Sequence, residues 1–498
     1  MTRIAIDLER PIGRLNRAVF GGFVEHLGRC IYGGLYAEDT SPADEEIVRQ
    51  DVLGLLQELR ISVLRWPGGN FASTYHWTDG IGPMALRPRR RNIAWGGVES
   101  NHFGTDEFVA YCRRLTAEPY ICLNMGNGSL AEAMAWVEYC NGADSTYWSD
   151  KRVENASASP HGVRWWGLGN EMYGEWQVGA VSAEEYVREA TRWARALRMV
   201  DPDIRLVSCG MNGWNDWDRV VIEGLASLVD MHSVHLYTGS ADYWTNVLQP
   251  HQAERAIAAA KALIERTAYV KRIASPPRIA YDEWNVWYRT DDGSLEERYD
   301  FSDALAVGTY LNIFVRNCDW VRMANWAQLV NAIAPIVTNS RVAAAQPIYY
   351  PFALHAQGAL DLAVDAHVYG PNIDAKLLEG AGLEGAGRWP HRISDLAPFK
   401  VIDAAATVTE DRGRLAVTLV NRARESAELV EIVLRGAELS GEARVRTVTS
   451  EKSTEARRLP DVEGVSLEDS ELEPRGSLLT LLLPPQSFAL VEAERAKT

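Results

Sequence analysis

RWWGLGNEMYGEWQVG, residues 164–179, is the stretch on which the fold turns. An apolar run ends in a glycine-spaced turn that delivers Asn170 and Glu171, with aromatics on both sides. A carboxylate ringed by flat side chains has two readings: a sugar site with an acid at its centre, or a well-packed strand end whose Glu171 faces water. Immediately downstream, Tyr186, Ala190, Trp193, Ala194, Leu197 and Val200 recur at helical spacing, so 183–200 is expected to be a helix. The pattern is strand, functional turn, helix.

The same unit repeats outward in both directions. Short β-rich runs occur at 19–26, 62–69, 120–126, 163–170, 204–210, 231–237, 278–284 and 321–327. Helical patterns are expected between them, at 44–60, 105–117, 252–268 and 302–317. Strands alternating with helices build parallel sheets, and eight of them fit a (β/α)8 TIM barrel. A doubly wound open sheet is the alternative, but GGFVEHLG after the first run lacks the glycine spacing of a phosphate turn. After about residue 358 the pattern changes. Runs at 414–422, 427–435, 443–450, 477–484 and 487–494 are short strands joined by polar turns, which predicts a C-terminal antiparallel β-sandwich. Ile4, Ile6 and Leu8 alternate in the same way, so an N-terminal strand is expected to join it. The expected domains are a barrel over 16–358 and a sandwich made of 1–15 and 359–498.

Composition narrows the function. A net charge of −16 repels phosphate backbones and argues against a nucleic-acid partner. No window approaches a membrane span, and MTRIAIDLERPIGRLN has neither an apolar core nor a cleavage site, so no secretory signal is expected. The six cysteines show no CxxC spacing and several sit in apolar runs, which predicts buried thiols in a reducing, cytoplasmic setting.

In a (β/α)8 barrel the active site forms at the C-terminal ends of the strands. The runs here end in Glu25 and His26, Arg65 and Asn70, Asn124 and Asn127, Asn170 and Glu171, His235 and Tyr237, Asp282 and Glu283, and Asn325 and Gln328. Two carboxylates on facing strands are what glycoside hydrolysis needs, one protonated and one ionised. Apolar walls from Trp165, Trp166, Tyr173 and Trp176 would raise Glu171 toward an acid, and Arg65 would keep Glu283 ionised. The pair would equally serve a Mg²⁺ or Mn²⁺ ion, but the aromatic surroundings favour a sugar. HxxH at 232–235 puts the two imidazoles on opposite faces of a strand, with His235 toward the site and His232 packed. RPRRRN (87–92) reads as a solvated loop with ion pairs, Cys30 as a buried thiol, and 289–300 as a polar loop after the seventh run, either a mobile rim over the pocket or plain surface.

FGGFVEHLGRCIYGGLY (20–36), RWPGGNF (65–71), WGLGNEMYG (166–174), YDEWNVWY (281–288) and ANWAQLVNAIAPI (324–336), in this order, resemble the α-L-arabinofuranosidases of glycoside hydrolase family 51. The resemblance spans nearly the whole chain. It implies a barrel with a jelly-roll-like sandwich, no cofactor or metal, and retention of configuration through a glycosyl-enzyme. It implies Glu171 as acid/base and Glu283 as nucleophile. Glu25, Arg65, Asn70, Asn170, Tyr237 and Gln328 match sugar-binding positions, and Trp95 and Trp287 match pocket-lining aromatics. It also implies a cytoplasmic hexamer acting on arabinose-containing oligosaccharides. Glu175 departs from the proline expected in many relatives, which bears on the leaving-group side. Three other readings share these residues: a β-D-xylosidase or endoglucanase, a non-catalytic carbohydrate-binding protein, and a metal-dependent lyase or isomerase.

Overall fold

The computed structural model describes residues 1–37, 47–155, 157–288, 295–378, 393–450 and 464–496. Thr2–Arg14 forms β1. Eight strands then close a parallel barrel: β2 (Gly21–Phe23), β3 (Val63–Trp66), β4 (Glu118–Cys122), β5 (Trp165–Leu168), β6 (Arg205–Ser208), β7 (Met231–Thr238), β8 (Arg278–Val286) and β9 (Val321–Ala327). They pair in chain order, and β9 pairs with β2 to close the ring. Each expected strand overlaps one of these eight, and the observed strand begins two residues early at Glu118 and runs on past the expected end at Thr238 and Val286.

The five expected helices form close to their expected ranges, at Gln50–Glu58, Thr105–Leu115, Ala183–Val200, His251–Lys271 and Phe301–Arg316, and helices such as Leu130–Asn141 and Asp216–Leu225 come in addition. Residues 44–46 of the first expectation lie outside the described residues. The helix after β5 begins where Ser182 and Glu185 satisfy each other's backbone N–H groups. It buries Tyr186, Ala190, Trp193, Ala194 and Leu197 against the barrel wall.

Alternation along the strands separates two kinds of interior. Leu64, Trp66, Trp166, Trp284 and Trp326 point outward into the helical layer. There Trp284, Trp326 and Phe352 stack, with ring centroids 5.7 and 4.6 Å apart. Inside the barrel, Val63, Tyr120, Val207, Met231, Ala280 and Met323 form an apolar plug at the N-terminal end of the strands.

Apart from two short two-stranded ribbons, Arg90–Arg91 with Val98–Glu99 and Ile336–Thr338 with Ala343–Ala345, the other strands are β10 (Leu362–Tyr369), β11 (Ile402–Val408), β12 (Arg414–Asn421), β13 (Glu428–Arg435), β14 (Leu439–Ser450), β15 (Val465–Leu472), β16 (Leu478–Leu483) and β17 (Ser487–Arg495). With β1 they form one hydrogen-bonded sheet in the order β15-β14-β17-β12-β11-β10-β1-β13-β16. The sheet curls so that Leu472 of β15 and Leu479 of β16, near its two edges, pack in one core with Ile4, Ile6 and Leu8. The expected antiparallel sandwich needs one correction: β1 pairs parallel with β13, so the sheet is mixed. β1 reaches that position from the far end of the chain, and no hairpin constrains its direction. Helix Phe301–Arg316 packs between barrel and sheet, where Asn312 and Arg316 both bond Asp403 of β11, at 2.7 and 2.9 Å.

Candidate active site

The functional turn after β5 uses backbone conformations that few residues adopt. Gly169 has φ +80° and Glu171 has φ +43°. The left-handed region costs a non-glycine residue about 1–3 kcal/mol and is held only where neighbours over-determine it. Here Gly174 N–H bonds the Glu171 carbonyl at 2.7 Å, and Gln177 Nε2 bonds the Asn170 carbonyl at 2.7 Å. The turn swings the Glu171 carboxylate over the barrel mouth. Its Oε1 accepts from Tyr173 Oη at 3.1 Å and lies 3.0 Å from His235 Nδ1, and its Oε2 accepts from Trp176 Nε1 at 3.0 Å.

Glu283 arrives by a different device. Between Ala280 and Glu283, β8 advances three residues while β7 advances two, from Ser233 to His235. The extra residue is a bulge, and a bulge re-aims side chains that alternation would send to opposite faces. Asp282 and Glu283, though adjacent, therefore both face the barrel interior, while Tyr281 and Trp284 face the helices. Glu283 Oε1 accepts from Arg65 Nη1 at 2.6 Å, and its Oε2 accepts from Tyr237 Oη at 2.8 Å. Arg65 is fully buried, and its Nη2 also donates to Asn170 Oδ1 at 2.6 Å. One guanidinium thus orients both the Glu283 carboxylate and the Asn170 amide. Burial alone would lower Arg65, but Asp282 and Glu283 raise it well above its ordinary value, so it is a permanent cation.

One oxygen each of Glu171 and Glu283 and one ring nitrogen of His235 lie within 4.8 Å of one another. His235 Nδ1 is 3.0 Å from Glu171 and 3.5 Å from Glu283. Burial pushes His235 down, but Glu283, Asp282 and Glu171 together raise it to about 10. Burial likewise pushes Glu171 up, and the hydrogen bond and charge of His235 bring it below its ordinary value. This reverses the expected elevation of Glu171. The reason is geometric: Trp166 faces the helical layer, and Trp165 sits at the opposite end of the strand, bonded to Glu118. Only Tyr173 and Trp176 of the four expected aromatics touch Glu171, and both donate hydrogen bonds to it.

The other expected residues surround a pocket of about 1210 Å³. Glu25 Oε1 accepts from Phe71 N–H at 2.9 Å and Trp95 Nε1 at 2.7 Å, and its Oε2 accepts from Gln328 Nε2 at 2.9 Å. Burial raises Glu25 to about 7 against those donors. Gly69 makes room for it, since a Cβ there would stand 2.3 Å from Glu25 Oε2. Asn70 lines the wall. Trp287 lines it too, edge-on to Tyr237 with centroids 5.3 Å apart. Asn170 Nδ2 and Gln328 Oε1 are buried without a protein partner, one unused donor and one unused acceptor. All ten expected site residues meet at this pocket, with Arg65 directly beneath it.

Several contributors were not singled out from sequence. Trp214, Asn212, Leu295 and Ile333 also line the pocket, from segments whose path the sequence pattern does not fix. His232 is packed as expected, between Ser208 Oγ and Asp218 Oδ1, both at 3.0 Å. In the basic run, Arg90 pairs with Asp79 as expected, but Arg87 is buried, held by Glu107 and the Gly82 carbonyl. All six cysteines are buried free thiols. Residues 289–294 of the polar loop lie outside the described residues.

A parallel barrel with two facing carboxylates at its strand ends, above a buried arginine, defines a barrel glycoside hydrolase. The α-L-arabinofuranosidase 1 domain matches residues 55–255, and the α-L-arabinofuranosidase C-terminal domain matches residues 282–487. α-L-Arabinofuranosidase C of Emericella nidulans is 40% identical over 507 residues, covering 98% of this chain and 96% of that protein. Intracellular exo-α-(1→5)-L-arabinofuranosidase 1 of Bacillus subtilis is 36% identical over 459 residues, covering 88% and 87%. Among solved structures, the thermostable GH51 α-L-arabinofuranosidase of Thermotoga petrophila RKU-1 superimposes with a TM-score of 0.88 at 36% identity, covering 99% and 100%. The chain belongs to the α-L-arabinofuranosidases of glycoside hydrolase family 51.

Proposed function

We propose that this chain is a retaining, exo-acting α-L-arabinofuranosidase that removes terminal non-reducing arabinofuranosyl residues from arabino- and arabinoxylo-oligosaccharides. The observation that carries the reading is the Glu171–Glu283 pair, with oxygens within 4.8 Å. Retaining glycosidases hold their carboxyls about 5–5.5 Å apart, and inverting ones leave about 6.5–9.5 Å for a water. Glu283, oriented by Arg65 and Tyr237, attacks the anomeric carbon as the glycosidic C–O bond breaks. The leaving oxygen takes a proton from Glu171. Glu171 then accepts a proton from water, whose oxygen bonds to the anomeric carbon and releases Glu283.

Asn170 Nδ2, unused in the protein, is the donor to the sugar 2-hydroxyl, a contact that tightens as charge develops. Glu25 and Gln328 bind outer hydroxyls, while Asn70, Trp95 and Trp287 close the furanose pocket. The reaction uses no metal or other cofactor. The chain works as two domains, 16–358 and 1–15 with 359–498, with β1 in the sheet of the C-terminal strands. It is a cytoplasmic homohexamer without nucleic-acid or membrane partners. The buried thiols support that setting, and among the described residues no helix is long and apolar enough to cross a membrane.

The test is nitrophenol release from 4-nitrophenyl α-L-arabinofuranoside, beside the β-D-xyloside and β-D-glucoside, with chelator present. Turnover of the arabinofuranoside alone is expected. Turnover of another glycoside instead would keep the two glutamates and discard the sugar. Silence on all three with measurable arabinose binding would make the protein a binder, and loss in chelator would make it a metalloenzyme.

A further inference from the structure

The bulge in β8 brings in a second carboxylate that never meets the pocket. Asp282 is 1% exposed and lies below the catalytic pair. Its Oδ2 accepts from Tyr120 Oη at 2.8 Å and is 3.7 Å from Arg65 Nε. Its Oδ1 accepts from Ser233 Oγ and lies 3.4 Å from His235 Nε2. The imidazole is therefore suspended between Asp282 on one nitrogen and the Glu171–Glu283 pair on the other. We propose that Asp282 is the positioning residue of the acid/base: it anchors the Nε2 side of His235, so that Nδ1 and Glu171 carry one proton between them.

The inference rests on Glu171 and Glu283 acting as acid/base and nucleophile. It gives the pair a built-in timing. Before attack, three carboxylates (Glu171, Asp282, Glu283) face two cations, Arg65 and protonated His235. In the first step the shared proton leaves for the departing oxygen, the C–O bond breaks, and a Glu283–sugar bond forms. Glu283 is then a neutral ester. The anion 3.5 Å from Nδ1 has gone, and the pair stands as a Glu171 carboxylate beside a neutral ring. That is the state able to take a proton from water in the second step. Attack of the water oxygen restores the Glu283 carboxylate, and the pair regains its proton. The charged and titratable groups around the pair and its carboxylates are Tyr173 from the turn, Cys209 after β6, Tyr237 on β7, Tyr120 and Cys122 on β4, Arg65 on β3 and Glu25 after β2, the last acting on Glu283.

The test is the pH profile of kcat/KM on whichever aryl glycoside the wild-type chain turns over. Its basic limb reports loss of the pair's proton in the free enzyme. Removing a neighbouring anion weakens the hold on a proton, so Asp282→Asn should move that limb down by about one pH unit or more. In a His235→Gln background the same substitution should move it no further. A folded Asp282→Asn enzyme with its limb unmoved overturns the proposal. So does an equal displacement in the His235→Gln background, which would mean direct action on Glu171. If Asp282→Asn does not fold, Tyr120→Phe decides. It strips one donor from Asp282, leaves more charge for His235, and should move the limb up; no movement, or movement down, overturns the proposal. A wild-type enzyme active only on another glycoside ends the arabinofuranoside reading and leaves this test intact, whereas silence on every glycoside ends both.

Discussion

The two ends of the same eight strands have opposite chemistry. At the N-terminal end, Val63, Val207, Met231, Ala280 and Met323 fill the barrel with apolar atoms. At the C-terminal end, the inward residues include Arg65, His235, Tyr237, Asp282 and Glu283, linked to one another between the neighbouring strands β7 and β8 and, through Arg65, across the barrel. Only a few residues along each strand separate plug from site. The plug supplies a buried apolar base, so the charges above it interact in a lower dielectric than water, where their attraction is stronger. Stability and chemistry are thus divided along the barrel axis, and substitutions at the two ends should fail in different ways.

The largest effect is expected at the mouth. Glu283→Ala should lower kcat by about 10⁴–10⁶-fold with the fold intact, as loss of a nucleophile does. A residual rate within tenfold of wild type would remove Glu283 from that role. Glu171→Ala should cost about 10²–10⁴-fold, with the larger loss on substrates with poor leaving groups, because an activated phenol departs without a proton. Equal losses on good and poor leaving groups would contradict an acid role. The smallest catalytic effect belongs to the plug. Met323→Ala should destabilise the chain by about 2–5 kcal/mol in denaturant unfolding while leaving kcat near wild type below the melting transition. A large kcat loss in the folded variant would mean that plug and site are mechanically coupled.

The barrel was legible in the sequence because both of its signals are local. Each strand is a short apolar run, and seven of the eight end in polar residues that packing does not require. Parity along β7 was enough to send His235 and Tyr237 inward and His232 outward. Parity fails at β8, where Asp282 and Glu283 share a face only because one extra residue enters the ladder. No residue type in RIAYDEW marks that insertion, so the role of Asp282 was hidden. The environment of Glu171 is hidden from the sequence for a related reason. Trp165 and Trp166 are its neighbours along the chain but not in space, and its real partners are His235 and two hydrogen-bonding aromatics.

In the C-terminal sheet, the expected runs correspond to β12, β13, β14, β16 and β17, while three strands fall outside any expected run: β10, β11 and β15, which reads VSLEDSEL. It is an edge strand with both faces largely in water, and its charges deter pairing with a further strand instead of marking a core. The parallel pairing of β1 with β13 was equally out of reach, since it joins residues more than 400 positions apart.

That pairing has a consequence in time. β1 lies in the interior of its sheet, between β10 and β13, yet it is synthesised long before either. At about 5–20 residues per second, roughly 20–90 s pass between the emergence of β1 and that of β13. Until β10 emerges, Ile4, Ile6 and Leu8 have no sheet to enter, while the barrel strands appear and can close first. The order of assembly is thereby written into the topology: barrel during translation, clasp of the two chain ends last.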